Sequence, residues 1–442
     1  MNKYTSIVDY IRNLAQEKKI KTGQKLPSIR SLADKFQCSK LTVIRAYKEL
    51  EQDHFIYSVP KSGYYLVSKH KEEDLSKSNI YFSTVLPDMN ILPYDEFHHC
   101  LDQAMEKYKM HLFSYGETRG LPSLIETLRK HLQNYQVFCK PTQIVVTSGS
   151  QQAVSILTNL QFPNGKNTIL VENPTYDRMI KSLQLHSVRT IGIDRNFHGI
   201  DLNRLERIFQ EEDIKFFYIV PRFHNPIGSS YSMDEKKEIL RLAQKYDVYI
   251  LEDDYLSDLD TDSRNDPIYS LDTSDRVIYL KTFSKILLPG LRIAAVVLPE
   301  ILAPQFLTYK QWTDIHTSIL PQGALDIYIN NGMFKRSVTR LRRIYENRMD
   351  YLKSICNNFN REVLDANIPH TGFFLSMKSP KPIQYDVILP ELARKGIILK
   401  DIRESYLEKN REMNLIKISI SKTDNQQIKD GMLSIYNYFL NQ

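Results

Sequence analysis

Seven short runs rich in β-branched and aromatic residues alternate with helix-length segments: Ile144 to Thr147, Thr168 to Glu172, Val188 to Ile193, Lys215 to Val220, Val248 to Glu252, Val277 to Lys281 and Arg292 to Leu298. Such alternation predicts an α/β domain whose mainly parallel sheet carries helices on both faces. It also predicts where chemistry belongs, because ligands of these sheets bind at the carboxyl ends of the strands. The polar segments of the region stand at those ends. They include Thr147-Ser148-Gly149-Ser150-Gln151-Gln152, His224-Asn225-Pro226-Ile227-Gly228, Glu252-Asp253-Asp254-Tyr255 and Thr282-Phe283-Ser284-Lys285.

Lys285 lies between two of the runs, flanked by Thr282 and Ser284, and a Pro289-Gly290 turn leads on to Arg292. A lysine at a strand end with hydroxyl neighbours and a nearby arginine suits a Schiff base with an anionic aldehyde cofactor. Lys285 would supply the amine, while Thr282, Ser284 and Arg292 would hold a phosphate. The stretch resembles the lysine motif of fold type I pyridoxal-phosphate enzymes, S-K-x-x-x-P-G-L-R, at every fixed position. That resemblance gives the other segments expected roles. The amides after Gly149, with Ser150 and Gln151, would face the phosphate at a helix start. The position of Tyr176 would place a ring over the pyridine, and Arg178 would meet a carboxylate or the phosphate region. His224-Asn225-Pro226-Ile227-Gly228 resembles the family's N-P-T-G element, with Asn225 donating to the cofactor's phenolic oxygen. Asp253 and Tyr255, two apart on a strand, would share one side. The carboxylate would then keep the ring nitrogen protonated and the phenol would reach the phenolic oxygen; Asp254 is the rival carboxylate. Tyr115 would enter a neighbouring subunit's phosphate site, implying a homodimer.

The catalytic set expected is therefore Lys285, Asp253 and Tyr255. One departure stands in Leu415 to Ser421, where aminotransferases of this fold carry an arginine for the substrate carboxylate and this chain offers Lys417. Lysine cannot form arginine's bidentate fork, which weighs against ordinary transamination and leaves Arg178 and Lys417 as candidate effector contacts.

The formal charge of +7 is unevenly distributed. Residues 1 to 71 hold 14 Lys and Arg against 6 Asp and Glu, whereas the rest holds 45 against 46. This asymmetry predicts a small module facing a polyanion, joined to a near-neutral domain. Helical spacing covers Tyr4 to Glu17; Ser28 caps a second helix ending near Phe36, and Ser39 caps a third over Lys40 to Gln52. Val43, Ala46, Tyr47 and Leu50 of the third helix would face inward. Ile56 to Val59 and Tyr64 to Val67 would form a β wing. LPSIRSLA, SKLTVIRA and KSGYYLV resemble the winged helix-turn-helix of the GntR family over residues 3 to 68, with Asp53-His54-Phe55 and Lys61-Ser62-Gly63 departing from its usual glycines. The resemblance implies operator DNA as partner. Ser39, Lys40, Thr42 and Arg45 would lie in the major groove, with Arg30 and Lys61 on phosphates.

The expected division is a DNA-binding domain at 1–68, a charged linker at 69–79 and an aminotransferase-like domain at 80–442. Within the last, a large subdomain would span about 110–330 and a smaller α+β subdomain about 331–442, with a long helix from Met333 to Phe359 and strands at Gly372 to Met377 and Leu415 to Ser421. No run of some 18 apolar residues is present and the start, Met1-Asn2-Lys3, leads into a polar helix, so neither a span nor a secretion signal is expected and the chain reads as cytoplasmic. Cys38, Cys100, Cys139 and Cys356 are scattered without C-x-x-C spacing, which argues against a metal site or a disulfide framework.

A GntR-type winged helix joined to a fold type I aminotransferase-like domain resembles the MocR/GabR family of bacterial transcription regulators. The resemblance implies a DNA-binding homodimer in which pyridoxal 5'-phosphate at Lys285 senses a small amine, an amino acid or the vitamin itself. A working aminotransferase carrying a DNA module is the alternative.

Overall fold

The computed structural model describes residues 3–17, 19–20, 25–52, 55–59, 63–66, 79–408 and 413–441. The chain divides into two compact units, Met1–Ser78 and Asn79–Gln442. Most of the expected linker, and Lys61 with its turn, lie outside the described residues.

The first unit comprises helices α1 (Lys3–Gln16), α2 (Ile29–Phe36) and α3 (Lys40–Gln52), then strands β1 (Ile56–Val59) and β2 (Gly63–Leu66) paired antiparallel. Its helix starts follow from side-chain chemistry. Ser28 Oγ accepts from Ser31 N at 3.1 Å, and Ser39 Oγ accepts from Thr42 N at 3.2 Å, satisfying amides that a helix start leaves orphaned. Ile7, Ile11, Leu32, Val43, Ala46, Tyr47 and Leu50 close one core, as the spacing predicts. The buried Tyr47 hydroxyl donates to the Pro27 carbonyl at 2.5 Å, tying α3 to the entry of α2.

The second unit runs β3 (Ile80–Tyr81), α4 (Tyr94–Lys107), α5 (Pro122–Leu132), β4 (Ile144–Thr147), α6 (Ser150–Asn159), β5 (Thr168–Asn173), α7 (Asp177–Leu185), β6 (Thr190–Asn196), β7 (Gly199–Ile200), α8 (Leu202–Glu211), β8 (Ile214–Ile219), α9 (Met233–Lys245), β9 (Tyr249–Asp253), β10 (Val277–Thr282) and β11 (Ala294–Val297). It continues through α10 (Ala303–Asp314), α11 (Ile319–Asn330), α12 (Met333–Cys356), β12 (Asp365–Asn367), β13 (Phe374–Lys378), α13 (Tyr385–Arg394), β14 (Ile397–Ile398), β15 (Leu415–Ser419) and α14 (Asn425–Leu440). The main sheet has the order β4-β11-β10-β9-β8-β5-β6-β7. Neighbours from β10 to β6 are parallel and fully buried through β5, β8, β9 and β10, which is why those segments are mostly apolar on both faces instead of alternating.

Two points depart from the sequence reading. The run after Lys285 returns antiparallel, β11 pairing with both β10 and β4, because the connection from Thr282 to Ala294 is too short for the parallel crossover of a dozen or more residues. The smaller subdomain also begins earlier than residue 331. Ile80 and Tyr81 pair in parallel with Ile397 and Ile398, and Phe82, fully buried, packs with Leu375, Ile418, Met432 and Ile435.

Candidate functional site

A cavity of about 670 Å³ opens at the carboxyl ends of β9, β10 and β8. Lys285, three residues past β10, reaches it half-buried, and its Nζ donates to the Val85 carbonyl at 3.2 Å. Burial depresses the Lys285 ammonium to about 8, with Asp253 opposing the shift and Arg178 and Lys400 adding to it. Asp253, the last residue of β9, accepts from the Tyr218 hydroxyl at 2.7 Å through Oδ2. Its Oδ1 is buried without a partner among the described residues. Burial pushes this carboxyl up to about 6, against the Tyr218 hydrogen bond.

The rival carboxylate is engaged elsewhere. Asp254 accepts from Arg222 Nε at 3.0 Å and from Tyr279 Oη at 2.5 Å, and it stays ionised despite burial because the Arg222 guanidinium lies against it. Tyr255 lines the cavity, but the strand ends two residues before it, and its hydroxyl donates to the Phe223 carbonyl at 2.6 Å. Its single proton is therefore directed away from the place expected for it.

Asn225 is fixed twice. The preceding His224 is fully buried with Nε2 3.2 Å from Glu172 Oε2, and that carboxylate also takes Arg195 at 3.1 Å and the Val220 amide at 2.8 Å. From the other side Lys417 Nζ donates to Asn225 Oδ1 at 2.6 Å, which orients the amide and leaves its NH₂ for the cavity. Lys417 is buried, packs 4.0 Å from the centre of the Phe374 ring, and is held well below the usual ammonium range by burial and by Lys400 and Lys285.

At the other end of the cavity, Gly149 precedes the ten-residue α6 at φ 83°, the left-handed region that favours glycine. A Cβ there would run into the Arg292 guanidinium. Ser150 and Gln151 at the helix start, with Thr282, Ser284 and Arg292, line this end, an arrangement of amides, hydroxyls and one guanidinium that fits a phosphate. Tyr176 caps the wall as the residue before α7, its phenol raised to about 12 by burial. A planar pyridine carrying a phosphate fits this set, since the unpartnered Asp253 Oδ1 is an acceptor for a ring N–H.

Residues 88–435 match the family model for class I and II aminotransferases. The chain belongs to that family. Residues 3–66 match the bacterial regulatory proteins of the gntR family, so a GntR DNA-binding domain is fused to a class I and II aminotransferase domain, the MocR/GabR arrangement. The HTH-type transcriptional regulator YcxD of Bacillus subtilis is 43% identical over 441 residues, 98% of each chain. The HTH-type transcriptional regulator NorG of Staphylococcus aureus (strain USA300) is 25% identical over 453 residues, covering 94% of this chain and 99% of NorG. Among solved structures, the kynurenine aminotransferase of Pyrococcus horikoshii in complex with PMP superposes with a TM-score of 0.76 at 28% identity, over 83% of this chain and 92% of that one.

Within this aminotransferase domain the structure brings together Lys285, Asp253, Tyr255, Asn225, Tyr176, Ser150, Gln151, Thr282, Ser284, Arg292, Arg178 and Lys417 around one cavity. Tyr115 is not among them: it is 80% exposed, beside the His316 ring. Sequence reasoning missed Tyr218, Asp177, Lys400 and the Ser83–Leu86 wall. A tyrosine near the carboxyl end of the largely apolar β8 was the available signal for the first; the others carry none. In the GntR domain, Arg30, Ser39, Lys40 and Arg45 are exposed and Thr42 is half-buried, its Oγ1 3.0 Å from Ser39 Oγ. Lys40 and Arg45 share the outward face of α3 with Leu41 and Ile44, opposite the buried Val43, Ala46 and Tyr47.

Proposed function

We propose that the chain is a pyridoxal-phosphate-dependent transcriptional regulator that binds operator DNA through its GntR domain and senses a small amine, an amino acid or the cofactor itself through its aminotransferase domain. The observation that carries this reading is the shared cavity of Lys285 and the unpartnered Asp253 Oδ1 in a chain that also presents a cationic helix face at its other end. Bound there, pyridoxal 5'-phosphate supplies an aldehyde carbon for amine attachment and an electron-withdrawing ring. The chain's own residues bind and orient. Lys285 Nζ offers the amine, Asp253 Oδ1 holds the ring proton, Tyr176 covers the ring, and Lys417 sets the Asn225 amide. Ser150, Gln151, Thr282, Ser284 and Arg292 take the phosphate. Tyr255, with its proton on the Phe223 carbonyl, ties that wall to the segment after β8.

A second copy of the chain is supported by the exposed apolar stretch Met110, Phe113 and Tyr115, which are 78%, 80% and 80% exposed; in a homodimer Tyr115 would leave solvent for the neighbour. No helix among the described residues is long and apolar enough to cross a membrane, and we place the protein in the cytoplasm with its DNA. Catalytic turnover is the second reading, favoured by the likeness to the kynurenine aminotransferase. Lys417 stands against it, because the lysine offered in place of arginine is spent on Asn225.

Titrating the cofactor-loaded protein with amines and amino acids, while following its visible absorption and its operator affinity, tests the proposal. One compound should shift both, since a ligand acts only through different affinity for two states. Equal operator affinity with every compound, and with and without the cofactor, would overturn it; release of keto acid from an amino donor would favour turnover.

Arg45→Ala is expected to weaken operator binding by about 1–3 kcal/mol, the worth of a base contact, and to relax preference at one position. An unchanged titration removes Arg45 from the reading face.

A further inference from the structure

Five cations line the cavity, Lys285, Arg178, Arg292, Lys400 and Lys417, against two carboxylates, Asp177 and Asp253. Three of the cations are accounted for, which leaves Arg178, exposed at the start of α7, and Lys400. Lys285 is the amine, Arg292 sits at the helix start against the Ser148 carbonyl at 3.5 Å, and Lys417 is buried on Asn225. Lys400 differs from all of these. It follows β14 in the smaller subdomain, its side chain is 34% exposed, and its Nζ lies 2.7 Å from Asp177 Oδ2 at the start of α7. The Asp177 carboxylate is shared, with Oδ1 accepting from the Arg178 amide at 3.0 Å. One turn further along α7, Lys181 pairs with Glu404 at 2.8 Å, a second contact between α7 and segment 400–404.

Resting on the sensing function proposed above, we propose that Lys400 is the specificity-determining cation that receives a separate anionic group of the effector, with Asp177 holding it until the ligand arrives. The effector is then a primary amine that also carries a carboxylate or another anion, and a plain monoamine is a poor one. The cofactor's phosphate takes Arg292, so a further anion needs a cation whose own partner can be displaced. The position normally expected to meet it is occupied with Asn225, and of the two cations left Lys400 is the one held in the wall by a displaceable carboxylate, whereas Arg178 is exposed.

The test uses the full-length, cofactor-loaded protein and three matched pairs: alanine and ethylamine, phenylalanine and phenethylamine, lysine and cadaverine. Binding is read by the absorption shift and independently by thermal shift. The wild type should favour the acid of each pair. Lys400→Gln should weaken the acids by about ten- to hundredfold, the worth of one charge-assisted hydrogen bond, while the decarboxylated partners move far less. Lys400→Arg should keep the preference, and Asp177→Asn should tighten the acids. Equal loss for acid and amine in Lys400→Gln would make Lys400 structural and overturn the proposal. Acid preference retained in Lys400→Gln would do the same while leaving amine sensing intact. Silence of the wild type to all six compounds would instead overturn the amine-sensing function on which the proposal rests.

Discussion

Replacing Lys285 by alanine is expected to abolish the lysine–cofactor Schiff-base band in the visible spectrum while leaving operator binding measurable. The first half follows from its position. Among the cavity's lysines, Lys417 is buried on Asn225 and Lys400 is paired with Asp177. Among the described residues Lys285 has only a carbonyl partner, at 3.2 Å, and its pKa is lowered to about 8 by burial. About one in ten of its amines is neutral at pH 7, against a few in ten thousand for an ordinary lysine. The second half follows from how little else the side chain holds. Among the described residues its one hydrogen bond is to Val85, and the DNA-binding unit has a core of its own, with α3 packed by Val43, Ala46 and Tyr47. Absorption spectra of wild type and variant, side by side with operator titrations, check both halves. A retained Schiff-base band would withdraw the cofactor role from Lys285.

The largest effect on stability is expected at Arg222, which does not line the cofactor cavity. Its guanidinium is buried, grips Asp254 through two nitrogens, and donates to the Asn265 carbonyl at 2.9 Å. Asp254 and the adjacent Glu252 are both buried. Glu252 is pushed up to about 7 by burial and by Asp254, so the strand end already carries more negative charge than it can readily ionise. Arg222→Ala leaves Asp254 with the Tyr279 hydroxyl alone, and losing one partner of a buried pair costs about 3–5 kcal/mol. Arg222→Lys should recover only part, because an ammonium cannot reproduce the fork. Denaturant melts provide the measurement. A loss below about 1 kcal/mol, the scale of an exposed pair, would mean the carboxylates are rehydrated in the variant.

Much of this site could be read from the residues because each motif is local. Lys285 with Ser284 and Arg292, Gly149 with Ser150, and Asp253 with its neighbours are short segments whose spacing alone sets their relation, and strand periodicity delivered them to one sheet edge. Whether Asp253 or Asp254 faces the cavity was open, since a strand end allows either, and it turned on Arg222, a residue with no motif. Tyr255 illustrates the opposite difficulty. Alternation put it beside Asp253, but alternation stops with the strand at Asp253, and the hydroxyl found Phe223 instead. Lys417 was identified as the departure from the arginine position, yet its partner lies on another strand's loop, and no periodicity reports a contact between distant segments. The same holds for Ile80 and Tyr81, a two-residue strand too short to leave any pattern.

That short strand has a mechanical consequence. Residues 80 to 86 form a single thread: at one end it is stitched into the smaller subdomain through Ile397 and Ile398, and a few residues on, Thr84 accepts from Ser421 Oγ at 2.9 Å and Val85 receives the Lys285 ammonium. The other direction along this thread is the covalent path to the DNA-binding unit. A compound that takes the Lys285 amine for itself removes a tether from the thread only a handful of peptide bonds from the point where the two units are spliced.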